Sequence, residues 1–236
     1  KACSFVTAKD PVVQKFAKGA SGMIKEAPYA ALDANLVSAL ALHEALDLYG
    51  VTYVVDPKTP FQQYSQNDAA IDYLQFPKQT LEFQAGDCDD LSILYAALLE
   101  AVGIETAFIT TPGHIYVALA LAVGPEEAER RFYRKQDLVV RDGRVWLPVE
   151  VTERSRGFLK AWEAGARQWR EAEAKQQAAL YSMQDGWQVY EPVGFPGESA
   201  LPAADRQQFL SRYRREVERF VEAEVGPQAS RLETEI

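Results

Sequence analysis

The stretch that decides the fold is AGDCDDLSILYAALLEAVG, residues 85–103. It places Cys88 between a glycine-containing turn and a run that is apolar on nearly every face. Such a run predicts a helix buried at the centre of the protein, beginning near Cys88 and continuing to about Val102. Gly103 then ends the helix, because glycine readily adopts the left-handed conformation found at helix C-termini.

Three aspartates crowd Cys88, and helix structure alone accounts for all of them. Asp87 is a favourable N-cap residue, Asp90 completes a capping box, and Asp89 lies in the first turn, where the helix dipole favours acids. The cysteine itself stands at the first helical position, where free N–H groups lower the pKa of a thiol. The aspartates raise that pKa, so a reactive thiolate requires a further cation. From this stretch, a reactive thiol and a structural thiol both remain open.

The residues before this stretch are predicted to form two helices and a loop. Residues 10–28 begin with Asp10-Pro11, an N-cap followed by a first-turn proline. Residues 33–50 carry apolar positions every three or four residues, which indicates a helix with one buried face. The stretch 51–68 is predicted to be a short extended piece followed by a polar loop that contains prolines.

After the central helix the hydrophobic pattern changes to that of β-strands. Asp142-Gly143 is a strong hairpin signal between two of these strands. A short helix is expected from Pro125, and residues 153–183 and 203–224 are expected to be helical again. Helices followed by an antiparallel sheet and further helices predict an α+β fold. The predicted strands are IETAFIT (104–110), HIYVALALA (114–122), DLVV (137–140) and RVWLPVEVT (144–152).

The chain is expected to form one compact domain in two parts. Residues 1–152 hold a helical N-terminal part and the central helix with its sheet, and residues 153–236 form a helical C-terminal extension packed on them. Lys1 is not a start methionine, and the first twenty residues lack the basic start and apolar run of a signal peptide. We therefore expect a domain that was processed or excised from a larger protein.

Composition excludes several kinds of partner and site. The net charge of −9 argues against a nucleic-acid partner, because nucleic acid requires basic patches. No stretch approaches the roughly 18 consecutive apolar residues that cross a bilayer, so we expect no membrane span. With only two cysteines and two histidines, a disulfide scaffold and a four-thiolate zinc site are excluded.

His114 and Glu150 are the residues that complete a candidate cysteine site. His114 opens a buried strand, and a polar ring at the mouth of such a strand needs a partner. Alternation along RVWLPVEVT places Glu150 opposite a wholly apolar strand face. A thiol is activated by an imidazole whose other nitrogen is held by a third group. An exposed strand-edge histidine and a solvent-facing acid are the alternatives, and His43, in mid-helix beside Glu44, is interpreted as structural.

The combination resembles the transglutaminase-like superfamily, which shares the papain-like cysteine protease core. GDCDDLSILYAALLEAVGI, PGHIYVAL and WLPVEVT carry the resemblance, in the order cysteine, histidine, acid, within residues 80–152. The motifs are similar to those of bacterial transglutaminase-like cysteine proteinases. The resemblance implies Cys88 as the nucleophile, His114 as the general base and Glu150 as the acid that orients the imidazole.

The resemblance also implies amide-bond chemistry on protein or peptide substrates through a thioester acyl-enzyme, with hydrolysis favoured over transfer to an amine. The oxyanion would be bound by the Cys88 N–H and by one side-chain donor, Gln84 or Gln75, between which the sequence does not choose. Trp146, on the same strand face as Glu150, is assigned to substrate contact.

This sequence departs from the family pattern at Glu150, because aspartate is more usual at the third position and glutamate is longer by one methylene. The zinc-binding cysteine pairs of the glycan-removing branch are absent. Some bacterial members bind calcium through acids flanking the cysteine, a role that Asp87 and Asp89 match and that oxygen ligands suit. No other cofactor is implied, and an extracytoplasmic or periplasmic location follows from the resemblance only. A catalytically silent binding module with the same fold is the alternative function.

Overall fold

The computed structural model describes residues 1–26, 29, 32–55, 73–194, 197, 201 and 204–234. Four helices precede the sheet in these residues: α1 (Pro11–Met23), α2 (Ala34–Tyr49), α3 (Pro77–Phe83) and α4 (Cys88–Ala101). α1, α2 and α4 confirm the predicted helices, and α3 is an additional one. Asp10 and Asp33 accept backbone N–H bonds as N-caps, and Gly50 ends α2 with φ 88°. The predicted polar loop falls mostly in 56–72, outside the described residues.

α4 lies at the centre of the protein. Every side chain from Leu91 to Leu99 is buried, which confirms the predicted central helix. This burial arises because α1, α2 and α3 pack against α4 together with the sheet. Full burial of one large aliphatic side chain stabilises a protein by about 1.5–3 kcal/mol. The core therefore fixes the position of the N-terminus of α4, and with it Cys88.

The chain forms a small parallel strand pair and a larger antiparallel sheet. β1 (Thr52–Tyr53) pairs in parallel with β2 (Ala85–Gly86) just before α4. The large sheet contains β3 (Thr106–Thr111), β4 (His114–Ala120), β5 (Val139–Arg141), β6 (Arg144–Val149) and β7 (Ala179–Ser182), in the spatial order β5-β6-β4-β3-β7. Asp142 and Gly143 have φ of 51° and 74°, which confirms the predicted hairpin between β5 and β6. Helices packed on an antiparallel sheet confirm the α+β fold.

The region after β4 is mostly helical, with one strand that the sequence analysis missed. α5 (Pro125–Arg131), α6 (Phe158–Glu173), α7 (Met183–Val189) and α8 (Arg206–Thr234) follow in chain order, and the 3₁₀ helix Val151–Arg156 joins β6 to α6. The prediction of continuous helix over 153–183 was wrong at β7. Gln176 has φ 57°, beyond the end of α6, and the chain then pairs with the free edge of β3. The C-terminal part therefore contributes the edge strand β7 to the large sheet and is not a purely helical extension.

The two faces of the sheet pack against different helices. Alternation along β4 sends three side chains toward the core around α4 and three toward α6. Trp146 lies on the α6 side, where it is 3% exposed and shares a hydrophobic cluster with Trp169. The assignment of Trp146 to substrate contact is therefore corrected, because the indole is sealed beneath α6. The β4 side chains are Ile115, Val117 and Leu119 on the core side and Tyr116, Ala118 and Ala120 on the α6 side.

β6 ends one residue before Glu150, which opens a gap in the sheet. Val149 pairs with Val117, so β4 continues past the end of β6 over residues 114–116. Glu150 instead caps the following 3₁₀ helix by accepting the N–H of Thr152 at 3.1 Å. The predicted strand, drawn to residue 152, was therefore too long. The gap lets the Glu150 side chain face the first residue of β4.

α8 covers the N-terminal helices with one apolar face. Phe209, Tyr213, Val217 and Phe220 are buried at a spacing of three or four residues, which confirms the predicted amphipathic helix in this region. α8 packs mainly on α2 and also contacts α6. In the part of the chain that the structure describes, no helix is both long and apolar enough to span a membrane.

Candidate active site

Cys88 stands at the first position of α4, after the capping box that the sequence predicts. Asp87 Oδ1 accepts the N–H groups of Asp89 at 3.0 Å and Asp90 at 3.1 Å, and Asp90 Oδ2 accepts the N–H of Asp87 at 3.3 Å. The N–H of Cys88 has no hydrogen-bond partner among the described residues. A free N–H at a helix N-terminus can bind a developing negative charge.

The sulfur of Cys88 faces the start of β4. It accepts a hydrogen bond from the backbone N–H of Ile115, the residue next to His114, and it lies 3.7 Å from Asp89 Oδ1. Burial raises the pKa of the thiol strongly, the charges of Asp89 and Asp87 raise it further, and the Ile115 N–H opposes them. The resting thiol therefore keeps its proton at neutral pH, in contrast to the thiolate that the helix N-terminus favours.

His114 and Glu150 form a short hydrogen bond, with Nε2 and Oε2 2.5 Å apart. The His114 side chain is 25% exposed and that of Glu150 is 1% exposed, so the acid lies behind the ring. Because Nε2 is bound to Glu150, Nδ1 is the nitrogen that remains to take a proton from a thiol. No described residue forms a hydrogen bond with that Nδ1.

The pKa values of the pair are shifted in opposite directions. Burial lowers the pKa of His114, but the hydrogen bond and charge of Glu150, with the charge of Asp89, outweigh it and raise the pKa above its ordinary value of about 6.5. Burial raises the pKa of Glu150, but the hydrogen bond and charge of His114 and the bonds from Thr152 lower it overall. Glu150 is therefore ionised at neutral pH and stabilises a protonated His114.

Glu150 is held on both carboxylate oxygens. Thr152 donates to Oε1 from its hydroxyl at 2.7 Å and from its N–H at 3.1 Å, while Oε2 forms the hydrogen bond with His114. The backbone N–H of Glu150 donates to the carbonyl of Ala161 on α6 at 2.9 Å. α6 thus positions the acid from behind the sheet.

Tyr116 positions the imidazole from the same strand. Its ring stacks on His114 with the centroids 5.7 Å apart and an interplanar angle of 25°. Its buried hydroxyl donates to the carbonyl of Gly165 on α6 at 3.1 Å. Sequence reasoning missed Tyr116. Its spacing of two residues from His114 on one strand was a usable signal, because residues with that spacing share a face of the sheet.

Gly165→Ala is expected to lower both the free energy of unfolding and the reactivity of Cys88. A Cβ at this position would lie 3.0–3.1 Å from backbone atoms of Pro148 and Glu150, which cannot rotate away as a flexible side chain can. Overpacking costs about 1–3 kcal/mol, more than the roughly 1 kcal/mol that alanine gains over glycine in a helix. Urea unfolding and the alkylation rate of Cys88 measure the two effects.

Gly19→Ala is the matched control for this variant. Gly19 lies in α1, and a Cβ there would meet no atom within 4 Å. The control should therefore stabilise the protein by up to about 1 kcal/mol without changing Cys88. A Gly165→Ala protein as stable and as reactive as the Gly19→Ala protein would show that α6 does not position Glu150.

The two glutamines proposed as oxyanion donors are engaged in different ways. The Nε2 group of Gln84 donates one hydrogen bond, at 2.5 Å, to the carbonyl of Tyr49 at the end of α2, and its role as an oxyanion donor stays a prediction. Gln75 donates to Asp90 twice, from its backbone N–H and from Nε2, each at 2.7 Å. These bonds hold Gln75 against the capping box, and Nε2 has a second N–H. Gln75 remains a prediction for the second donor.

The acids beside Cys88 do not assemble a calcium site in the described residues. Calcium takes six to eight oxygen ligands, whereas no group of three or more His, Cys, Asp or Glu side chains in the described part of the chain is arranged to hold a metal ion. Asp87 Oδ1 is already used by two backbone N–H groups. Calcium binding by Asp87 and Asp89 therefore stays a prediction, and no catalytic step is derived from it.

The other cysteine, Cys3, and the other histidine, His43, are both buried in the protein interior. Cys3 is buried, and its carbonyl accepts the indole N–H of Trp187 at 3.0 Å. His43 is fully buried and makes an edge-to-face contact with Phe158, with ring centroids 5.4 Å apart. The placement of His43 agrees with its structural interpretation.

A cavity of about 560 Å³ opens beside Ile115, the residue whose N–H binds the Cys88 sulfur. Its walls come from β3, β4, β7, α7 and the first residues of the chain. Tyr181 and Val189, at 60% and 72% exposure, stand at this cavity with their apolar surfaces in solvent. Its apolar lining includes Phe108, Ile115, Leu180, Tyr181, Met183 and Val189.

Tyr53 is a further residue of the site that sequence reasoning missed. It pairs with Gly86 in the β1–β2 ladder, two residues before Cys88. Burial raises the pKa of Tyr53, and the charges of Cys88, Asp87 and Glu150 raise it further, so its hydroxyl stays protonated within electrostatic range of the site. No signal in the local pattern marks Tyr53, because the β1–β2 pairing is non-local.

Comparisons with models of known protein families, with curated proteins and with solved structures found no match to this chain. The geometry of the site therefore carries the functional argument.

Proposed function

We propose that this protein is a cysteine-dependent enzyme of amide-bond chemistry, built on a papain-like core of the transglutaminase-like kind. One observation carries the proposal: a histidine bound to a buried acid lies next to the residue that contacts the cysteine sulfur. His114 Nε2 is 2.5 Å from Glu150 Oε2, and the N–H of the adjacent Ile115 binds Cys88. Nucleophile, base and orienting acid in this order are the parts that acyl transfer by a thiol requires.

The first half of the reaction forms a thioester. Nδ1 of His114 takes the thiol proton as the sulfur of Cys88 attacks the carbonyl carbon of an amide. The free N–H of Cys88 binds the oxyanion, with Gln75 as the proposed second donor. The imidazolium, stabilised by Glu150, then returns the proton to the leaving amine, the C–N bond breaks, and an acyl group remains on sulfur.

The second half releases the acyl group to water. His114 removes a proton from the water molecule that attacks the thioester carbonyl, and the C–S bond breaks. The departing thiolate regains the proton, which restores the thiol and neutral imidazole and yields a carboxylic acid. Transfer to an amine follows the same steps with the amine in place of water.

The raised pKa of Cys88 favours general-base catalysis over a preformed ion pair. Burial and the charges of Asp89 and Asp87 keep the sulfur protonated. His114 therefore has to be neutral at the start of each turnover and has to accept the proton as the sulfur attacks. The raised pKa of His114 shifts that neutral form to higher pH than in an ordinary histidine.

Substrates of the proposed enzyme are peptides with a large apolar side chain near the cleaved bond. The cavity beside Ile115, of about 560 Å³, has the size and the apolar lining of ligand sites, which run from about 300 to 1,000 Å³. Ile115 both lines this cavity and contacts the Cys88 sulfur through its N–H, whereas Cys88, His114 and Glu150 do not line it. Hydrolysis is favoured over amine transfer, since the described residues show no channel that would bring an amine acceptor to Cys88.

Incubation with a proteome-derived peptide library, with and without a small primary amine, tests the proposal. Hydrolysis generates new carboxyl termini enriched in apolar residues, whereas amine transfer couples the added amine to the peptides. Mass spectrometry separates the two products. A library that is unchanged by the protein at mildly alkaline pH would refute amide-bond chemistry.

Val189→Asp is expected to lower kcat/KM for apolar peptides by about tenfold or more. Burial of a valine side chain against a ligand is worth about 1.5–3 kcal/mol, and a carboxylate in its place must be desolvated. Val193→Asp is the control, because Val193 is also exposed but does not line the cavity. Equal rates for the two variants would place the substrate elsewhere.

A catalytically silent binding module is the second candidate function. The observation that favours it is the strongly raised pKa of the Cys88 thiol between two aspartates, which suppresses the nucleophile. The two candidates differ in whether His114 controls the reactivity of Cys88, because a silent module has no such control.

A further inference from the structure

A second cavity, of about 210 Å³, lies where the 3₁₀ helix Val151–Arg156 approaches α2 and α8. It is separate from Cys88 and from the cavity beside Ile115, and none of its lining residues takes part in the proposed reaction. Charged side chains dominate its walls, with Ser155 and Gly157 between them. The charged residues are Arg154, Arg156, Arg212, Arg215 and Arg219, with Glu44, Asp47 and Glu216.

Ion pairs account for the three acids of this cavity. Arg212 binds Asp47 and lies 3.4 Å from Glu44. Arg219 pairs with Glu216 at 2.5 Å. Each carboxylate of the cavity therefore lies near a guanidinium, with Arg212 shared between Asp47 and Glu44.

Two guanidinium groups of the cavity remain without a partner. Arg156 pairs with Glu153 outside the cavity at 3.1 Å. Arg154 and Arg215 form neither an ion pair nor a side-chain hydrogen bond with any residue that the structure describes. Because Arg212 is shared by two acids and Arg156 is paired outside the cavity, the excess is one positive charge, in a chain whose net charge is −9.

Arg154 forms the floor of the cavity. It is 7% exposed, and its Nε is buried without a hydrogen-bond partner. Burial lowers the pKa of Arg154, and the charges of Asp47 and Glu44 oppose this from beyond ion-pair distance. A buried guanidinium stays charged and is costly unless hydrogen-bond acceptors reach it. Its donors therefore require an acceptor that enters from the cavity.

We infer that this cavity binds a small phosphate group between Arg154 at its floor and Arg215 at its mouth. Guanidinium groups bind phosphate oxygens through paired hydrogen bonds, and Arg154 and Arg215 are the two guanidinium groups of the cavity whose donors have no partner among the described residues. The volume of 210 Å³ is below that of drug-sized ligand sites, which begin near 300 Å³, and suits inorganic phosphate or the phosphate end of a small phosphomonoester. Arg215 is exposed, which leaves the mouth open to solvent.

The site lies at the far end of the 3₁₀ helix that Glu150 caps. Phosphate binding requires no chemistry at Cys88, so the inference stands apart from the proposed function. The Cys88→Ala variant should bind phosphate as the unchanged protein does.

Calorimetric titration of the full chain with inorganic phosphate, in a chloride buffer of matched ionic strength, tests the inference. Arg154→Met and Arg215→Met are each expected to weaken binding by about tenfold or more, because a hydrogen bond to a charged group is worth a factor of that order. Arg214→Met is the matched control: it removes the neighbouring exposed charge of α8, which does not line the cavity, and should change the affinity by less than about twofold.

The melting temperature in chloride separates a ligand-binding arginine from a structural one. Because Arg154 is buried without a partner, Arg154→Met should keep or raise the Tm while losing the phosphate response. A Tm that falls sharply in chloride would identify Arg154 as a structural residue and overturn the inference. Loss of binding in Arg215→Met, which replaces an exposed residue, gives an independent test.

Glycerol 3-phosphate titrated in parallel distinguishes the two sources of the phosphate group. Tighter binding of the ester supports a phosphomonoester ligand, and tighter binding of inorganic phosphate supports the free ion. The inference is overturned by the absence of binding at about 10 mM phosphate, where even a site with a Kd near 1 mM is occupied. It is also overturned if Arg214→Met weakens binding as much as Arg215→Met, since the effect would then be general charge.

Discussion

Cys88→Ala is expected to abolish amide-bond chemistry, with a fall in kcat of about 10⁴-fold or more, the scale seen when one member of a coupled nucleophile and base is removed. Alanine has no group that can form the acyl intermediate. The fold should survive, because the first helical position tolerates alanine well and the capping box depends on Asp87 and Asp90. A Tm change of less than about 3 °C corresponds to less than about 1 kcal/mol in a chain of this size. Peptide-library cleavage and thermal unfolding measure the two quantities.

Cys3→Ala is the control for this variant, because Cys3 is the only other cysteine of the chain. It removes a buried thiol, so it should lower stability more than Cys88→Ala does and leave the chemistry of the folded protein unchanged. Activity retained in Cys88→Ala would refute the nucleophile. A large fall in Tm in Cys88→Ala would identify the thiol as structural.

His114→Ala is expected to slow iodoacetamide alkylation of Cys88 by about 100-fold or more, the lower range of general-base catalysis. Without the imidazole, the thiol retains a pKa raised by burial and by two aspartates, and the hydrogen bond that it donates to Asp89 raises that pKa further. Peptide mapping after alkylation gives separate rates for Cys88 and Cys3. A silent binding module predicts equal Cys88 rates before and after the substitution, which would end the enzymatic proposal.

The pH dependence of the same rate reports on Glu150. Glu150 raises the pKa of His114 above about 6.5, and the base must be neutral, so the rate should rise with pH through that raised pKa. Glu150→Gln removes the hydrogen-bonded charge and leaves burial, which lowers the pKa. The inflection should therefore move to lower pH while the maximal rate falls, because the imidazolium loses its stabilising acid.

Glu153→Gln is the control for the pH profile. Glu153 lies on the same 3₁₀ helix and pairs with Arg156, away from His114. Its substitution should leave the inflection where it is. An inflection that does not move in Glu150→Gln, or that moves equally in both variants, would contradict the orienting role of Glu150.

The helices and hairpin of the fold could be predicted because their signals are local. The N-caps at Asp10, Asp33 and Asp87 and the Asp142-Gly143 turn depend on neighbours within four residues. β7 was missed for the converse reason. Its residues are held by pairing with β3, about 70 positions earlier, and only tertiary contact determines such pairing.

The residues of the candidate site also separate into those that local signals could propose and those that depend on tertiary contacts. Cys88, His114 and Glu150 could be proposed because each residue is unusual in its own segment. Cys88 is a thiol at a helix start, His114 is a polar ring that opens a buried strand, and Glu150 is an acid in an apolar strand. The oxyanion assignments of Gln84 and Gln75 and the substrate role of Trp146 depended on what surrounds each side chain. α6 decided the outcome for Trp146, whereas the bonds of Gln84 to Tyr49 and of Gln75 to Asp90 leave both glutamine roles as predictions.

The amino-acid sequence by itself determined the central helix, its capped start, the hairpin and the α+β class, because hydrophobic period, capping and turn preference act over a few residues. Only the tertiary structure decided which groups meet. It set the His114 ring between Tyr116 and Glu150, brought the Ile115 N–H to the sulfur, and left Arg154 buried without a partner. It also determined that the pKa of Cys88 is raised, because desolvation depends on everything packed around a group, and no stretch of sequence specifies that.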